Sequence, residues 1–328
     1  MSVKIWKGSR YFVCFSYLGS RYWGVQRQVA SRSLERDNTI QSAIETAINS
    51  TITPRPINHP VSSVVSSRTD RLVHASENFL AMDLFHPVYG MTYDQDYITD
   101  CINKWMYQND HLILVKKTVQ VPRGYHIRRQ AREREYILRT VYDPMSHGML
   151  NPRVWFNLAS RVDLTSVSVV SAPSDSTKLD IDKVRQAVEL MKGTHDFRSF
   201  EASQNSRKER NSIETITKFT VTEVDPRTGS RMDPRTGSRV DPRTGSRMDP
   251  VRGDLIFLDF VVSSGSFLYK QVRRMVGMAL TVGLGCATLD EVEFLLKYPD
   301  RNNWKCDRYL TALPSGLYLR RINFPGIS

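Results

Sequence analysis

Two stretches of the chain show the same order of predicted strands and helices, and this order constrains the fold more than any other feature. In the first stretch, alternating apolar residues predict four strands, at residues 11–18, 61–67, 78–85 and 111–121. Apolar residues spaced by three and four predict two helices, at residues 39–50 and 94–107. The resulting order, β-α-β-β-α-β, is that of a ferredoxin-like unit.

The second stretch repeats this order. Its predicted strands lie at residues 135–142, 218–224, 254–263 and 317–323, and its helices at residues 181–192 and 266–282. An additional helix is predicted to begin at Thr288, because Glu291 three residues later completes the spacing of a capping box. We therefore predict an α+β protein with two domains, residues 1–121 and residues 122–328.

The charge of the chain indicates the class of its partner. The formal net charge is +12, which favours a polyanion such as RNA, or an anionic membrane surface. No apolar segment approaches the ~18 residues that a membrane span needs, so nucleic acid is favoured. Cysteines occur neither as a C-x-x-C pair nor with histidines at zinc-finger spacing, which predicts a reducing compartment and no structural metal.

Residues 225–250 contain three near-identical octapeptides that begin with Asp-Pro-Arg-Thr-Gly. Proline and glycine at turn positions, without an apolar stripe, predict a chain of turns between two strands of a hairpin. Long insertions at such a place cost little loop-closure entropy. The arginines of the octapeptides could contact phosphate, but charged loops are usually only solvated, so we expect deletion of residues 225–248 to leave RNA affinity nearly unchanged.

A candidate reactive group follows the predicted strand at residues 61–67. A strand end would present Asp70 from a rigid edge, with Arg68 projecting from the same face two residues earlier. The positive charge of Arg68 would favour the ionised carboxylate, so Asp70 is predicted to be a nucleophile or a base rather than an acid. A surface ion pair at a turn is the structural alternative.

The stretch Arg68-Thr69-Asp70-Arg71-Leu72-Val73-His74-Ala75 resembles the signature octapeptide of the TruA family of tRNA pseudouridine synthases. Six further segments are similar to motifs of that family in the same order, at residues 17–28, 39–41, 125–136, 193–200, 267–277 and 312–319. The segment at 267–277 looks closest to the animal branch described as pseudouridine synthase-like. The resemblance therefore extends over nearly the whole chain.

This resemblance implies a fold and an activity. The fold would be two ferredoxin-like halves with a merged antiparallel sheet and an active-site cleft between them. The activity would be isomerisation of uridine to pseudouridine in tRNA, with mRNA and mitochondrial RNA left open as substrates. The reaction needs a nucleophilic carboxylate and a dry pocket for a flipped base, but no metal, redox cofactor or ATP.

Site residues are carried over from the motifs that match. Asp70 corresponds to the nucleophile, whether it attacks C6 of the base or C1′ of the ribose. Arg273 corresponds to the arginine that pairs with this aspartate, although the adjacent Arg274 is an alternative. Tyr136 corresponds to the tyrosine that stacks on the base. Arg68 is assigned to the RNA backbone or the flipped nucleotide, and Leu317 to the apolar wall behind the base.

Basic clusters are predicted to bind phosphate groups. Strand alternation would place Arg132 and Arg134 on the same face as Tyr136, and Arg128 lies in the same segment. A solvated strand edge is the structural alternative. Arg129 belongs to the same segment, and further candidates in predicted loops are Arg27, Arg32, Arg207, Lys208 and Arg210.

Two departures from the family pattern leave other functions open. Arg71 and Leu72 stand where the family usually has alanine and glycine, and a leucine would be strained if that position needs a positive φ. A non-catalytic RNA-binding or assembly factor on the same scaffold is therefore an alternative. A glycoside hydrolase with Asp70 and Glu77 as paired carboxylates is another, although the net positive charge suits RNA better.

The location and assembly of the protein are predicted from weaker signals. No acidic residue precedes Glu35, and the basic, serine-containing beginning resembles a mitochondrial presequence. We therefore expect a mitochondrial protein, with the cytoplasm or nucleus as the alternative. A homodimer is implied by the family resemblance alone.

Overall fold

The computed structural model of the chain describes residues 8–27, 38–52, 61–147, 168–172, 178–202, 211–224 and 255–325. It divides into two compact units, one formed by Met1–Arg134 with Tyr318–Ser328 and the other by Glu135–Leu317. The sequence places the boundary after residue 121 instead. The repeat at 225–250 and four of the basic candidates, Arg32, Arg207, Lys208 and Arg210, lie outside the described residues.

The strands of the first unit are β1 (Ser9–Tyr17), β2 (Ser63–Val65), β3 (His74–Leu84), β4 (Ile113–Val121) and the C-terminal β10 (Leu317–Asn323). β1 pairs antiparallel with both β3 and β4. The other edge of β3 pairs antiparallel with β2 at residues 80–82 and parallel with β10 at residues 74–75. The eight residues between β2 and β3 form a loop along this edge.

The helices of the first unit are α1 (Ile40–Thr51), α2 (Gln95–Gln108) and the short α3 (Ile127–Gln130). α1 begins where predicted, because the Thr39 side chain accepts a hydrogen bond from the Ser42 N–H and the Ser42 side chain accepts one from the Thr39 N–H. Its predicted apolar residues are all buried. The β-α-β-β-α-β order predicted for this part of the chain is confirmed.

The second unit contains the strands β5 (Glu133–His147, starting at the end of the first unit), β6 (Ser168–Ala172), β7 (Gly193–Asp196), β8 (Ile213–Glu223) and β9 (Ile256–Ser264). Their order is β5-β9-β8-β7, with β6 parallel to β5. The sequence did not predict β6 and β7. β7, Gly-Thr-His-Asp, has no buried residue and is recognisable only by its antiparallel pairing with β8. The predicted α+β class, with mostly antiparallel strands, is confirmed.

The helices of the second unit are α4 (Ile181–Leu190), α5 (Gln271–Gly283) and α6 (Leu289–Lys297). The capping box predicted at Thr288 and Glu291 is present. α5 is almost entirely buried, and Gly277 lets it approach a neighbouring segment, because a Cβ there would lie 2.0 Å from the Leu310 carbonyl oxygen. No helix in the described part of the chain is both long and apolar enough to cross a membrane.

Candidate functional site

Asp70 lies in the loop between β2 and β3, not at a strand end. β2 stops at Val65, so the prediction that Arg68 and Asp70 project from one face of a strand is wrong. The Ser66 N–H still donates to the Phe79 carbonyl oxygen at 2.8 Å, but beyond it the regular strand pairing ends. Arg68 is exposed in this loop, and Asp70 is half-buried.

A buried polar network holds the loop on the N-terminal side of Asp70. Asn78, which is 0% exposed, donates from Nδ2 to the Ser67 carbonyl oxygen at 3.1 Å and accepts from the Ser66 hydroxyl at 2.8 Å. The Tyr17 hydroxyl is hydrogen-bonded to the Thr69 hydroxyl at 2.7 Å. Neither Asn78 nor Tyr17 was predicted to be a site residue. The available signal was a polar asparagine that opens the apolar run Phe79-Leu80-Ala81-Met82.

A tight turn holds the loop on the C-terminal side of Asp70. The Val73 N–H donates to the Asp70 carbonyl oxygen at 3.2 Å, and Leu72 at the third position has φ 68°. A positive φ at this position defines a type II turn and favours glycine. The condition for strain anticipated from the sequence is therefore met. A non-glycine residue in this conformation costs about 1 kcal/mol.

The segment Trp23-Gly24-Val25 packs against this turn. The Val25 N–H donates to the Thr69 carbonyl oxygen at 3.2 Å. Gly24 has φ 100°, and a Cβ there would lie 2.8 Å from the same oxygen, so glycine is needed for this approach. The guanidinium of Arg71 lies over the Trp23 ring, 3.9 Å from its centroid. Contacts on both sides of Asp70 therefore define the path of the backbone that carries it.

Three of the predicted RNA-binding arginines lie close together in the first unit. Arg128 donates from Nε to the Val65 carbonyl oxygen at 3.0 Å, and Arg134 from Nη2 to the Ser66 carbonyl oxygen at 3.3 Å. Burial, and then the charges of Arg68 and Arg134, lower the pKa of Arg128, although an arginine stays cationic near neutral pH. The loop that carries Asp70 therefore lies beside concentrated positive charge.

The other basic candidates in the first unit differ in setting. Arg132 is exposed but precedes β5, which begins at Glu133, so the predicted strand alternation does not apply to it. Its N–H donates to the Asn323 carbonyl oxygen at 3.0 Å. Arg27 is paired with the buried carboxylate of Glu45 at 3.1 Å, which gives it a structural contact.

The second unit carries three of the predicted active-site residues, Tyr136, Leu317 and Arg273. Tyr136 is a buried residue of β5, and its ring meets Phe267 edge to face with centroids 5.3 Å apart. Leu317 is buried at the start of β10. Arg273 is half-buried on α5, where its Nε donates to the Ala312 carbonyl oxygen at 2.6 Å and its own carbonyl oxygen accepts from the Ala312 N–H at 3.1 Å.

Arg274, the alternative to Arg273, is committed to the packing of the second unit. It is buried, donates from Nη1 to the Glu201 carbonyl oxygen at 2.8 Å, and lies 4.7 Å from the centroid of the Trp304 ring. Burial lowers its pKa. These contacts favour Arg273 as the arginine with a functional role.

Three other titratable side chains have structural partners. Glu77 accepts from the Ile322 N–H at 3.3 Å, which weakens its assignment as a second catalytic carboxylate. His74 accepts from the Gly19 N–H at 3.0 Å, and its ring stacks on Tyr318. His195 is hydrogen-bonded to the Lys192 carbonyl oxygen at 2.7 Å. Within the described residues, no group of three His, Cys, Asp or Glu side chains is arranged to hold a metal ion.

Comparisons with known proteins agree with the motifs. A family described as tRNA pseudouridine synthase matches residues 187–325. tRNA pseudouridine synthase-like 1 of Xenopus laevis is 25% identical over 97% of this chain and 92% of its own length. tRNA pseudouridine synthase A is 26% identical in Pseudothermotoga lettingae, over 96% of this chain and 99% of its own length, and 27% identical in Pseudomonas aeruginosa, over 97% and 86%.

The predicted resemblance to the tRNA pseudouridine synthases is confirmed. The family match includes Arg273 and Leu317 but begins after Asp70 and Tyr136. The similarity to complete pseudouridine synthases, however, extends over nearly the whole chain.

Proposed function

We propose that this chain is an RNA pseudouridine synthase, an isomerase that converts specific uridines of tRNA to pseudouridine with Asp70 as its nucleophile. The observation that carries the proposal is the setting of Asp70. Buried polar side chains and a tight turn hold the loop that carries it, and Arg128 and Arg134 donate to the Val65 and Ser66 carbonyl groups at the start of that loop, near Arg68. The names of the full-length relatives support the same activity.

The proposed reaction moves one bond and one proton. The bond between N1 of the base and C1′ of the ribose breaks, and a bond between C5 and C1′ forms. C5 loses its proton and N1 gains one, so product and substrate are isomers and no electrons are exchanged. Asp70 begins the reaction by attacking C6 or C1′, and the covalent adduct holds the fragment while the base turns over. The bond to Asp70 then breaks and returns the carboxylate.

The remaining candidates take the roles that their chemistry suits. Tyr136, held edge to face against Phe267, offers a flat ring for the flipped base. Leu317 supplies an apolar surface, and Arg273 is the cation assigned to Asp70. Arg68, Arg128, Arg132 and Arg134 contact phosphate groups, because guanidinium groups suit the charge and shape of phosphate.

The experiment that tests this function compares Asp70 variants in cells that lack the protein. Pseudouridines are located by carbodiimide adducts that stop reverse transcription, in total and mitochondrial RNA. We expect sites that vanish in the null cells to return with the wild type, but not with Asp70→Asn or Asp70→Ala. Asp182→Ala, which removes an exposed carboxylate of α4, is the matched control and should restore them. Full restoration by Asp70→Ala would refute the mechanism.

A non-catalytic RNA-binding or assembly factor is the second candidate. The specific observation that favours it is the leucine with a positive φ two residues after Asp70, at a position that suits glycine. If no pseudouridine is missing in null cells while the purified protein binds tRNA, this second function is supported.

Three finer proposals concern subfamily, location and assembly. We place the chain in the TruA group, on the strength of the Arg68–Ala75 octapeptide, and in the mitochondrion, on the strength of its acid-poor beginning. Mitochondrial RNA and mRNA are then further substrate candidates. Immunoblots of fractionated cells test the location, and light scattering of the purified protein tests the homodimer.

A further inference from the structure

The residue after Asp70, Arg71, departs from the family pattern and has an exposed side chain. Arg71 carries its guanidinium over the Trp23 ring, 3.9 Å from the centroid, which is close contact for such a stack. Among the described residues, Arg71 has no hydrogen-bond acceptor and no carboxylate partner. No described residue therefore occupies its N–H donors, and one face of its plane is covered.

The backbone gives this stack a defined position relative to Asp70. Arg71 is the second residue of the turn that the Asp70 carbonyl oxygen and the Val73 N–H close. Trp23 immediately precedes Gly24 and Val25, which approach the Thr69 carbonyl oxygen. Both members of the stack are thus anchored within one or two residues of the same turn, so the guanidinium is held before any ligand arrives.

We propose that Arg71, held in place by Trp23, binds the phosphate of the nucleotide next to the target uridine. This inference rests on the proposed function, since Asp70 must reach the target nucleotide. Neighbouring Cα atoms are only about 3.8 Å apart, so the side chain of Arg71 spans the distance to an adjoining phosphate. A guanidinium presents its donors at the edge of its plane, which matches phosphate oxygens and remains open when one face is stacked.

The test measures how salt affects binding of an unmodified tRNA transcript to the full-length protein. Dissociation constants are determined at about 50 to 300 mM KCl for wild type, Arg71→Ala, Arg71→Lys and Trp23→Leu. Arg185→Ala is the matched control, because it removes the same charge from an exposed arginine already paired with Asp182. Circular dichroism of each variant reports whether the protein remains folded.

Arg71→Ala should weaken binding roughly tenfold and reduce the slope of log K against log salt by about 0.7, the value for one single-strand phosphate contact. Arg71→Lys and Trp23→Leu keep the charge of residue 71, so both should keep the wild-type slope. Each should weaken binding about threefold, because Arg71→Lys loses the rigid guanidinium fork and Trp23→Leu loses the ring that supports it. Arg185→Ala should change neither quantity.

A wild-type slope for Arg71→Ala would overturn the proposal. Unchanged affinity would then indicate a solvated charge, and lowered affinity would indicate a base stacked on the guanidinium. The proposed function and the phosphate contact can be refuted separately. If the transcript binds with an Arg71-dependent slope but no pseudouridine forms, only the catalytic assignment is lost. If pseudouridine forms and Arg71→Ala leaves the slope unchanged, only the phosphate contact is lost. Absence of any transcript binding by the wild type would overturn both.

Discussion

Replacing Asn78 with alanine tests the idea that buried side chains hold Asp70 in position. The substitution removes the bonds to the Ser66 hydroxyl, at 2.8 Å, and to the Ser67 carbonyl oxygen, at 3.1 Å. Each buried partner left without a hydrogen bond costs about 1–3 kcal/mol. Because the Ser66 hydroxyl can also turn towards another acceptor, we expect a total loss of about 3 kcal/mol in the free energy of unfolding.

The same substitution should reduce catalysis by more than the loss of folded protein explains. A displacement of about 1 Å in a reacting group can cost about a hundredfold in rate. We therefore expect kcat of Asn78→Ala to fall about a hundredfold, measured as pseudouridine formed by the folded fraction. Tyr17→Phe, which removes only the hydroxyl bonded to Thr69 at 2.7 Å, should cost about 1 kcal/mol and give a smaller fall in kcat.

Asn103→Ala is the matched control. Asn103 on α2 makes two comparable hydrogen bonds to the backbone of Val115, at 2.9 and 2.8 Å, away from the Asp70 loop. The Asn103→Ala substitution should lower the midpoint of urea unfolding and leave kcat of the folded protein unchanged. An unfolding free energy of Asn78→Ala within about 1 kcal/mol of wild type, or equal losses of kcat in both asparagine variants, would refute the reasoning.

Three further predictions address strain, the two adjacent arginines and a buried thiol. Leu72→Gly should be more stable than Leu72→Ala by about 1 kcal/mol in urea unfolding. Both variants lose the leucine side chain, but only alanine is strained at a φ of 68°. Equal stability of the two variants would contradict strain at this turn. Arg274→Ala should lower the free energy of unfolding by about 3 kcal/mol, because it leaves the carbonyl groups of Ser199 and Glu201 without a hydrogen-bond donor. Arg273→Ala should lower it by about 1 kcal/mol and abolish pseudouridine formation. The reverse pattern would exchange the roles of the two arginines. Burial raises the pKa of Cys14 from 9.0 to about 12, so its contribution to stability is complete below pH 9.0 and is lost as the pH rises towards 12. At about pH 8 a disulfide reagent should therefore modify Cys14 at least about a hundredfold more slowly than the exposed Cys306, as followed by peptide mass spectrometry, and comparable rates would show that the thiol is accessible.

The first unit shows how far local pattern determines structure. The helix from Ile40 to Thr51 could be predicted because its cap at Thr39 and its apolar face depend only on residues within a few positions of each other. The capping box at Thr288 was predictable for the same reason. β7 was not, since Gly-Thr-His-Asp has no apolar alternation and forms a strand only where β8 provides hydrogen-bonding partners.

The candidate site divides in a similar way. Motif order drew attention to Asp70 and Arg273, and the arginine and leucine after Asp70 already indicated an unusual turn. Helical spacing already favours Arg273 over Arg274, because Arg273 lies at the edge of the apolar face of the helix. The contacts of Arg274 with Trp304 and with the carbonyl groups of Ser199 and Glu201 support that preference.

Local sequence pattern is therefore enough to predict the order of helices and strands in the first unit, the mixed α+β class, the positive charge that suits RNA, and the motifs that mark Asp70. The contacts that hold this residue depend on the tertiary fold. The Tyr17 hydroxyl meets Thr69 across 52 positions of the chain, and Asn78 meets Tyr17 across 61. Such contacts exist because β1 and β3 pair side by side, and no local pattern encodes which buried polar groups that pairing brings together.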